Sequence, residues 1–425
     1  MIKPKIHAED LTIFLVSGLI LFSYGLYALN GYGNHDDIYR MLNSWRTLIF
    51  EHRYVPSRFQ GYLVPELSIG LASQVGGFYL SNLVSVLLSV SSLLIFYWLL
   101  IRITTRLNAV LAVAMIASNP FWIIASTTST DYIYPVFFFT LGLFMLLNAK
   151  PRLAGLIFAL AMSSRLTYAP MIVLAFAFYL PYVIKNKPEQ RNQFFQGIIL
   201  FFLGTAALYL PVFLASGMSF SFLKYADDTV GGWLGTIVRF IYKNIYFWGL
   251  PTFILLLIFF FRERASYPKA IFANPFANTR PEKLLFQVVS WGFAYNEIVF
   301  AKLPHQYQYL LPILFCVTYF IVTAPTPSKT KFLGLVLALN IIYCLFCNFD
   351  ILDTYQVGGA GTTIHSDAAK VNFSLKQGVL VQDFSWRATY QKHLVEDYNQ
   401  KWQNAKGFYP LQDPRSRQQT IKSRE

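Results

Sequence analysis

The chain has 425 residues, of which 55% are hydrophobic and only 13% charged, with 40 Phe and 27 Tyr. A soluble domain carries about 25% charged residues, so long apolar runs here must face something other than water. The formal net charge of +14 would suit a nucleic-acid binder, but in so apolar a chain Lys and Arg gather in cytoplasmic loops and set topology, and no nucleic-acid partner is expected.

Backbone polar groups cannot stay unpaired in hydrocarbon, so each long apolar run is expected to be a helix, with roughly 17–25 residues needed for a crossing. Eleven such runs occur, near 11–29, 78–101, 107–124, 133–148, 153–164, 168–184, 194–215, 246–261, 284–301, 309–323 and 332–348. Lys3 and Lys5 precede the first, as in a signal peptide. Its apolar run is too long for an h-region and no A-x-A-like site follows, so it reads as an anchor. The fifth is short for a crossing and reads as half of a pair with the sixth, broken around Ser163-Ser164-Arg165.

Residues 30–66 form a long segment after the first run. Ile38, Met41, Leu42, Trp45, Leu48 and Ile49 recur there at spacings of three and four. That pattern predicts an amphipathic helix in the interface, with Arg40, Arg46 and Arg53 on its wet side. Pro56, Gly61 and Pro65 make the following stretch loop-like. Residues 217–245 carry Asp227-Asp228, whose plain reading is a solvated acid pair, and the turn Gly231-Gly232. After residue 349 the membrane character is lost. GVLVQDF (378–384) predicts a strand and Trp386–Trp402 a helix. The expected fold is therefore an all-α polytopic membrane protein with about eleven transmembrane helices, spanning 1–348, followed by a small extracytoplasmic α/β tail over 349–425. No internal repeat is evident. Cys316, Cys344 and Cys347 lie inside apolar runs, so no disulfide framework is implied.

Eleven spans put the N-terminus in the cytoplasm and the C-terminus outside. On that topology sixteen Lys and Arg fall inside, nine fall in outer loops and ten lie in the tail, a bias that favours this orientation. Acids sort the other way. Asp36, Asp37, Glu51, Glu66, Asp131, Asp227 and Asp228 fall in outer loops, and Glu297 near the outer end of its span. Acids gathered at one membrane face are costly unless solvated, paired or used, so the outer face is the expected working face.

Several residues there carry two readings. In GNHDDIYR (33–40), Asp36 or Asp37 would cap the helix beginning at Ile38, or deprotonate an acceptor hydroxyl. Asp131, in STTSTDYIYP, would cap the fourth span or act beside them. Arg58, in PSRFQGYLVPE with Glu66, would clamp a phosphate or snorkel to the interface. Arg165 lies between apolar runs where water is scarce, and a cation there calls for an anionic partner, either a lipid phosphate or one of the outer acids. KLPHQYQYLLP (302–312) adds Lys302 and His305, with Tyr307 and Tyr309 fitting an aromatic belt.

The order of these parts resembles the GT-C superfamily of polyprenyl-phosphate-sugar-dependent glycosyltransferases, in the style of the protein O-mannosyltransferase and aminoarabinose transferase branch. The parts are an acid pair after the first span, an interfacial helix, a second outer acid after the third, an Arg between the fifth and sixth, and YLLP opening a late span. The likeness covers roughly residues 10–325 and leaves out the tail. It implies a sugar on a polyprenyl phosphate as donor, a glycan, lipid or protein acceptor, and membrane lipid around the chain. Asp36 or Asp37 would be the base, Asp131 the second acid, and Arg58, Arg165, Lys302 and His305 the cations that neutralise the leaving phosphate. Glu66 and Glu297 would line the cleft. A single displacement with one base inverts the anomeric centre. HQYQYLLP departs from the pattern, with Gln308 where many relatives carry a basic residue, which weakens the case for phosphate contact from this segment. Some branches use a divalent metal and others none, and no metal-ligand spacing is evident here. A transporter or flippase, or a surface-polysaccharide polymerase or ligase, are the competing readings. A transporter would show charges reaching both faces and broken helices in matched halves.

Overall fold

The computed structural model of the chain describes residues 10–219, 232–264, 281–303, 307–352, 371–405 and 410–411. Asp227-Asp228, Gly231 and His305 lie outside them. The helices are α1 (Asp10–Tyr27), α2 (Asp36–Phe50), α3 (Leu63–Leu100), α4 (Arg106–Ala117), α5 (Pro120–Ser126), α6 (Ile133–Leu147), α7 (Pro151–Ser164), α8 (Ala169–Asn186), α9 (Arg191–Ala215), α10 (Gly232–Trp248), α11 (Leu250–Glu263), α12 (Pro281–Lys302), α13 (Leu311–Thr323) and α14 (Lys329–Leu345). The tail follows with strands β1 (Asn348–Leu352) and β2 (Val371–Lys376) and helix α15 (Val379–Trp402).

The all-helical, many-spanning architecture expected from the sequence is what forms, and each apolar run is helical over most of its length. Five helices are long and apolar enough to cross a membrane, or seven if each of two bent pairs is one span. The helices over 133–147, 151–164 and 307–323 are apolar but shorter. Fifteen residues of α-helix reach only about 22 Å, short of a hydrocarbon core of about 30 Å. Leu15, Leu19 and Phe22 on α1, and Phe202 and Leu203 on α9, stand exposed, as side chains facing lipid do. The chain is an integral membrane protein.

The breaks have local causes. Within α3, Gly76 and Gly77 leave helical geometry, Gly77 with φ +63°, so the helix divides into a first segment and a span close to the 78–101 of the sequence pattern. Between α4 and α5 the axis bends by 71°. Asn119 Oδ1 accepts from Phe121 N (3.0 Å) and Trp122 N (3.3 Å), and Pro120 stands at the first helical position, where its missing N–H is no loss. α10 and α11 meet at 99°.

α7 packs against α6 and α9, and α8 against α12. The extended backbone of Arg165 separates α7 from α8, so the chain breaks between the fifth and sixth runs at the Ser163-Ser164-Arg165 step. The α7–α9 contact depends on two glycines. A Cβ on Gly155 would strike the backbone of Gly197, and one on Gly197 would strike Pro151 O. Small residues let helix backbones approach this closely in a membrane. Gly155→Val is therefore expected to separate α7 from α9 and abolish the folded monomer in detergent. A normal size-exclusion profile for that variant would contradict the packing.

Four local expectations are corrected. α2 begins at Asp36, two residues before Ile38, and neither acid caps it: the N-cap is His35, without a side-chain hydrogen bond. Arg46 is not on a wet side. It is buried, paired with Glu51 (2.6 Å), with its guanidinium 3.5 Å from the Trp402 ring centroid. α3 starts at Leu63, so Pro65 lies in a first turn, where it is tolerated, and not in a loop. GVLVQDF is no strand. Residues 379–384 open α15, which packs on α2, α5 and α14, while the antiparallel pair is β1–β2.

Candidate active site

Two loops position the acids singled out above, Asp36 and Asp37 in the first turn of α2 and Asp131 within its own loop. One, at residues 31–35, leads into α2; the other, at 127–132, joins α5 to α6. They touch directly. Ser129 N donates to Tyr32 O (3.2 Å), and Ser129 Oγ donates to Asn82 Oδ1 (2.7 Å). Asn82, fully buried on α3, in turn donates to Ala28 O (2.9 Å) and Gly31 O (2.7 Å). Gly33 has φ +117°, and a Cβ there would meet Ile38 and Thr128 at 2.9 Å. Only glycine allows that approach.

At their junction lie two ion pairs. Arg165 Nε bonds Asp131 Oδ2 at 2.6 Å, with both side chains almost wholly buried. Arg58 pairs with Asp37. Arg58 and Arg165 lie 6.0 and 5.5 Å from the ring centroid of Tyr62. Two further rings close on Arg165, Tyr132 at 3.8 Å and Tyr309 at 4.8 Å. An Arg desolvated among aromatic faces keeps its charge through cation–π attraction as well as its carboxylate. Among the described residues, Asp131 Oδ1 and Arg165 Nη2 are buried without a hydrogen-bond partner. Buried polar atoms rarely stay so, and these two offer an acceptor and a donor side by side.

The neighbouring acids diverge. The Asp37 side chain is 12% exposed and Asp36 69%, with Asp36 facing Arg40 at a loose 3.9 Å. Adjacent residues on a helix do not share a face, so only Asp37 turns into the cluster. His35 lies beside it, bonded to Gln308 (3.0 Å). Burial pushes its imidazole below the ordinary value. Among its neighbours Asp383 and Asp131 pull it up, and Arg387 and Arg58 push it down. It is thus neutral at pH 7, and acidification favours the unfolded chain, which binds the proton more readily.

Other singled-out residues lie elsewhere. Glu66 is fully buried and holds the 54–62 loop. It accepts from Ser57 N (2.8 Å), Tyr62 N (3.2 Å) and the hydroxyls of Ser57 and Tyr54, so all its contacts are to the loop itself. Glu297 accepts from Asn244 Nδ2 at 3.4 Å on α10. Lys302 is exposed at the end of α12, and no contact among the described residues ties it to the cluster. His305 is not described. Asp131 does not cap α6 with its carboxylate. No group of three or more His, Cys, Asp or Glu among the described residues is arranged to hold a metal ion. A cleft of about 540 Å³, lined by Arg40, residues 55–59, Ala215 and Ser216, opens onto Arg58.

Sequence reading missed Tyr62, Tyr132 and Asn82, and took Tyr309 for part of an aromatic belt. Tyr62 and Tyr132 are each within four residues of a singled-out charge, and a lone Asn inside an apolar span is a functional signal in its own right.

No protein-family model and no curated protein sequence matches the chain. Among solved structures it is similar to ArnT from Cupriavidus metallidurans. For the form bound to undecaprenyl phosphate the TM-score is 0.54 at 11% identity, over 78% of this chain and 64% of that one. For the apo form it is 0.51 at 11% identity, over 76% and 59%. The chain thus spans less than two thirds of the length of these structures. The likeness is one of fold.

Proposed function

We propose that the protein is a membrane glycosyltransferase that moves a sugar from a polyprenyl-phosphate donor to an acceptor hydroxyl on the extracytoplasmic side, with inversion. The observation that carries this reading is the pairing of two carboxylates with two arginines, Asp37 with Arg58 and Asp131 with Arg165, around Tyr62. The fold likeness to a structure bound to undecaprenyl phosphate supports the donor class.

The pairing suits the chemistry. As the glycosidic bond breaks, positive charge grows on the sugar ring and negative charge on the departing phosphate, so cations already in place lower the barrier. Arg58 borders the open cleft and is the proposed phosphate ligand. In exchanging Asp37 for phosphate it frees the carboxylate to take the acceptor's proton. Arg165 stays with Asp131 and holds its orphaned oxygen and N–H towards donor and acceptor. The acceptor oxygen, as it gives its proton to that carboxylate, bonds to the anomeric carbon from the face opposite the leaving phosphate while the bond to the phosphate breaks, and this single displacement gives inversion. Lys302 and His305 are left as further phosphate ligands and Glu297 as a cleft acid. The N-terminus is assigned to the cytoplasm, and the tail over 349–425 to the outside as a unit distinct from 1–348.

Right-side-out and inverted vesicles given the same short-chain polyprenyl-phosphate sugar test the reading. Transfer is expected from the outer face, which carries residues 34–62. Consumption of donor only at the cytoplasmic face would contradict it.

A further inference from the structure

We infer that the C-terminal helix α15 is a positioning element of the active site, clamping through Gln391 the loop that leads into Asp36 and Asp37 and through Arg387 the loop that carries Asp131. The inference rests on the function proposed above. Asp383, Arg387 and Gln391 recur every four residues and so form one stripe on the helix. Arg387 and Gln391 are 1% and 2% exposed. Unlike the exposed Lys392 and Glu396, this polar stripe points inward.

Each member has a partner in the membrane body. Arg387 Nε bonds Asp383 Oδ2 at 2.7 Å, and Asp383 also accepts from Tyr27 OH of α1 at 2.9 Å. The remaining nitrogens of Arg387 reach the second acid loop: Nη1 donates to Thr127 O and Nη2 to Thr127 Oγ1, both at 3.3 Å. Thr127 is four residues before Asp131. Gln391 Oε1 accepts from Gly33 N at 3.1 Å, three residues before Asp36 and four before Asp37. Its side chain also fills the space that a Cβ on Gly31 would need. One helix face therefore fixes the backbone just upstream of both acids.

Such polar contacts are a poor source of stability. A buried ion pair roughly breaks even against apolar packing, and a buried amide that loses its partner is penalised. What they supply is geometry. A base displaced by about 1 Å is slowed by about a hundredfold, and neither residues 31–35, which lead into Asp36 and Asp37 at the start of α2, nor residues 127–132, which carry Asp131, lie in an α-helix or strand. α15 thus completes a site whose two carboxylate–arginine pairs belong to residues 37–165.

The test uses the full-length protein in nanodiscs. Gln391→Met keeps the volume and removes the acceptor for Gly33 N; Gln391→Glu keeps an acceptor. The Met variant is expected to lower kcat about tenfold to a hundredfold, with KM for the donor within about threefold, because the substrate contacts remain. The Glu variant is expected to recover most of kcat. Hydrogen exchange at residues 31–37 should rise in the Met variant while α7 and α9 stay protected. Unchanged exchange or unchanged kcat in the Met variant overturns the inference, and so does a fall in KM-dependent binding alone. Faster exchange in a protein whose wild type consumes no polyprenyl-phosphate sugar overturns the transferase reading and with it any catalytic role for α15, leaving the clamp structural.

Discussion

Asp37→Asn is expected to reduce transfer about a thousandfold, and Asp36→Asn to leave it within about threefold of wild type. The two acids are neighbours in sequence and differ only in where the helix turns them. Asp37 is enclosed beside Arg58, whereas Asp36 is in water with a loose contact to Arg40. Asparagine preserves size and removes the basic oxygen, so the loss reports proton abstraction and not packing. The measurement is single-turnover transfer in proteoliposomes for each variant. If the Asp36 variant fails and the Asp37 variant works, the base is on the exposed side and the enclosed pair is structural.

The second large effect is at Arg165. Arg165→Leu leaves Asp131 as a buried carboxylate with no cation, and breaking a buried pair from one side costs about 3–5 kcal/mol. Thermal unfolding in detergent should move down sharply, and transfer should be lost. Adding Asp131→Asn removes the stranded charge. The double variant is expected to regain most of the lost stability and none of the activity. Recovery of both would make the pair a purely structural contact. Recovery of neither would show that the tyrosine cage around Arg165 collapses without the guanidinium whatever its partner.

Much of the fold is legible in the apolar runs, because hydrocarbon leaves the backbone no alternative to helix. Arg165 is legible for a related reason: a cation between two apolar runs needs an anion, and one of the outer acids, Asp131, is that anion. The choice between Asp36 and Asp37 is not legible, since it depends on which side of α2 docks. Arg46 reads as a wet residue because the ring that covers it, Trp402, is 356 positions away in sequence. GVLVQDF has the β-branched, apolar character of a strand, yet packing on α2, α5 and α14 makes it helical. Tyr62, Tyr132 and Tyr309 are indistinguishable from an aromatic belt until the charge at their centre is seen. Glu66 shares its segment with Arg58 and reads as a cleft acid, but Ser57, Tyr62 and Tyr54 take its oxygens.

The central claim is a single inverting displacement from a polyprenyl phosphate at the Asp37–Arg58 and Asp131–Arg165 pairs. Purified protein in proteoliposomes, supplied with a panel of polyprenyl-phosphate sugars of known anomeric configuration, tests it most directly through the released lipid phosphate and the configuration of the product. One donor is expected to yield a mole of polyprenyl phosphate per mole of product, with the anomeric centre inverted, and Asp37→Asn to yield neither. Retention of configuration, or equal turnover by wild type and Asp37→Asn, would contradict the account.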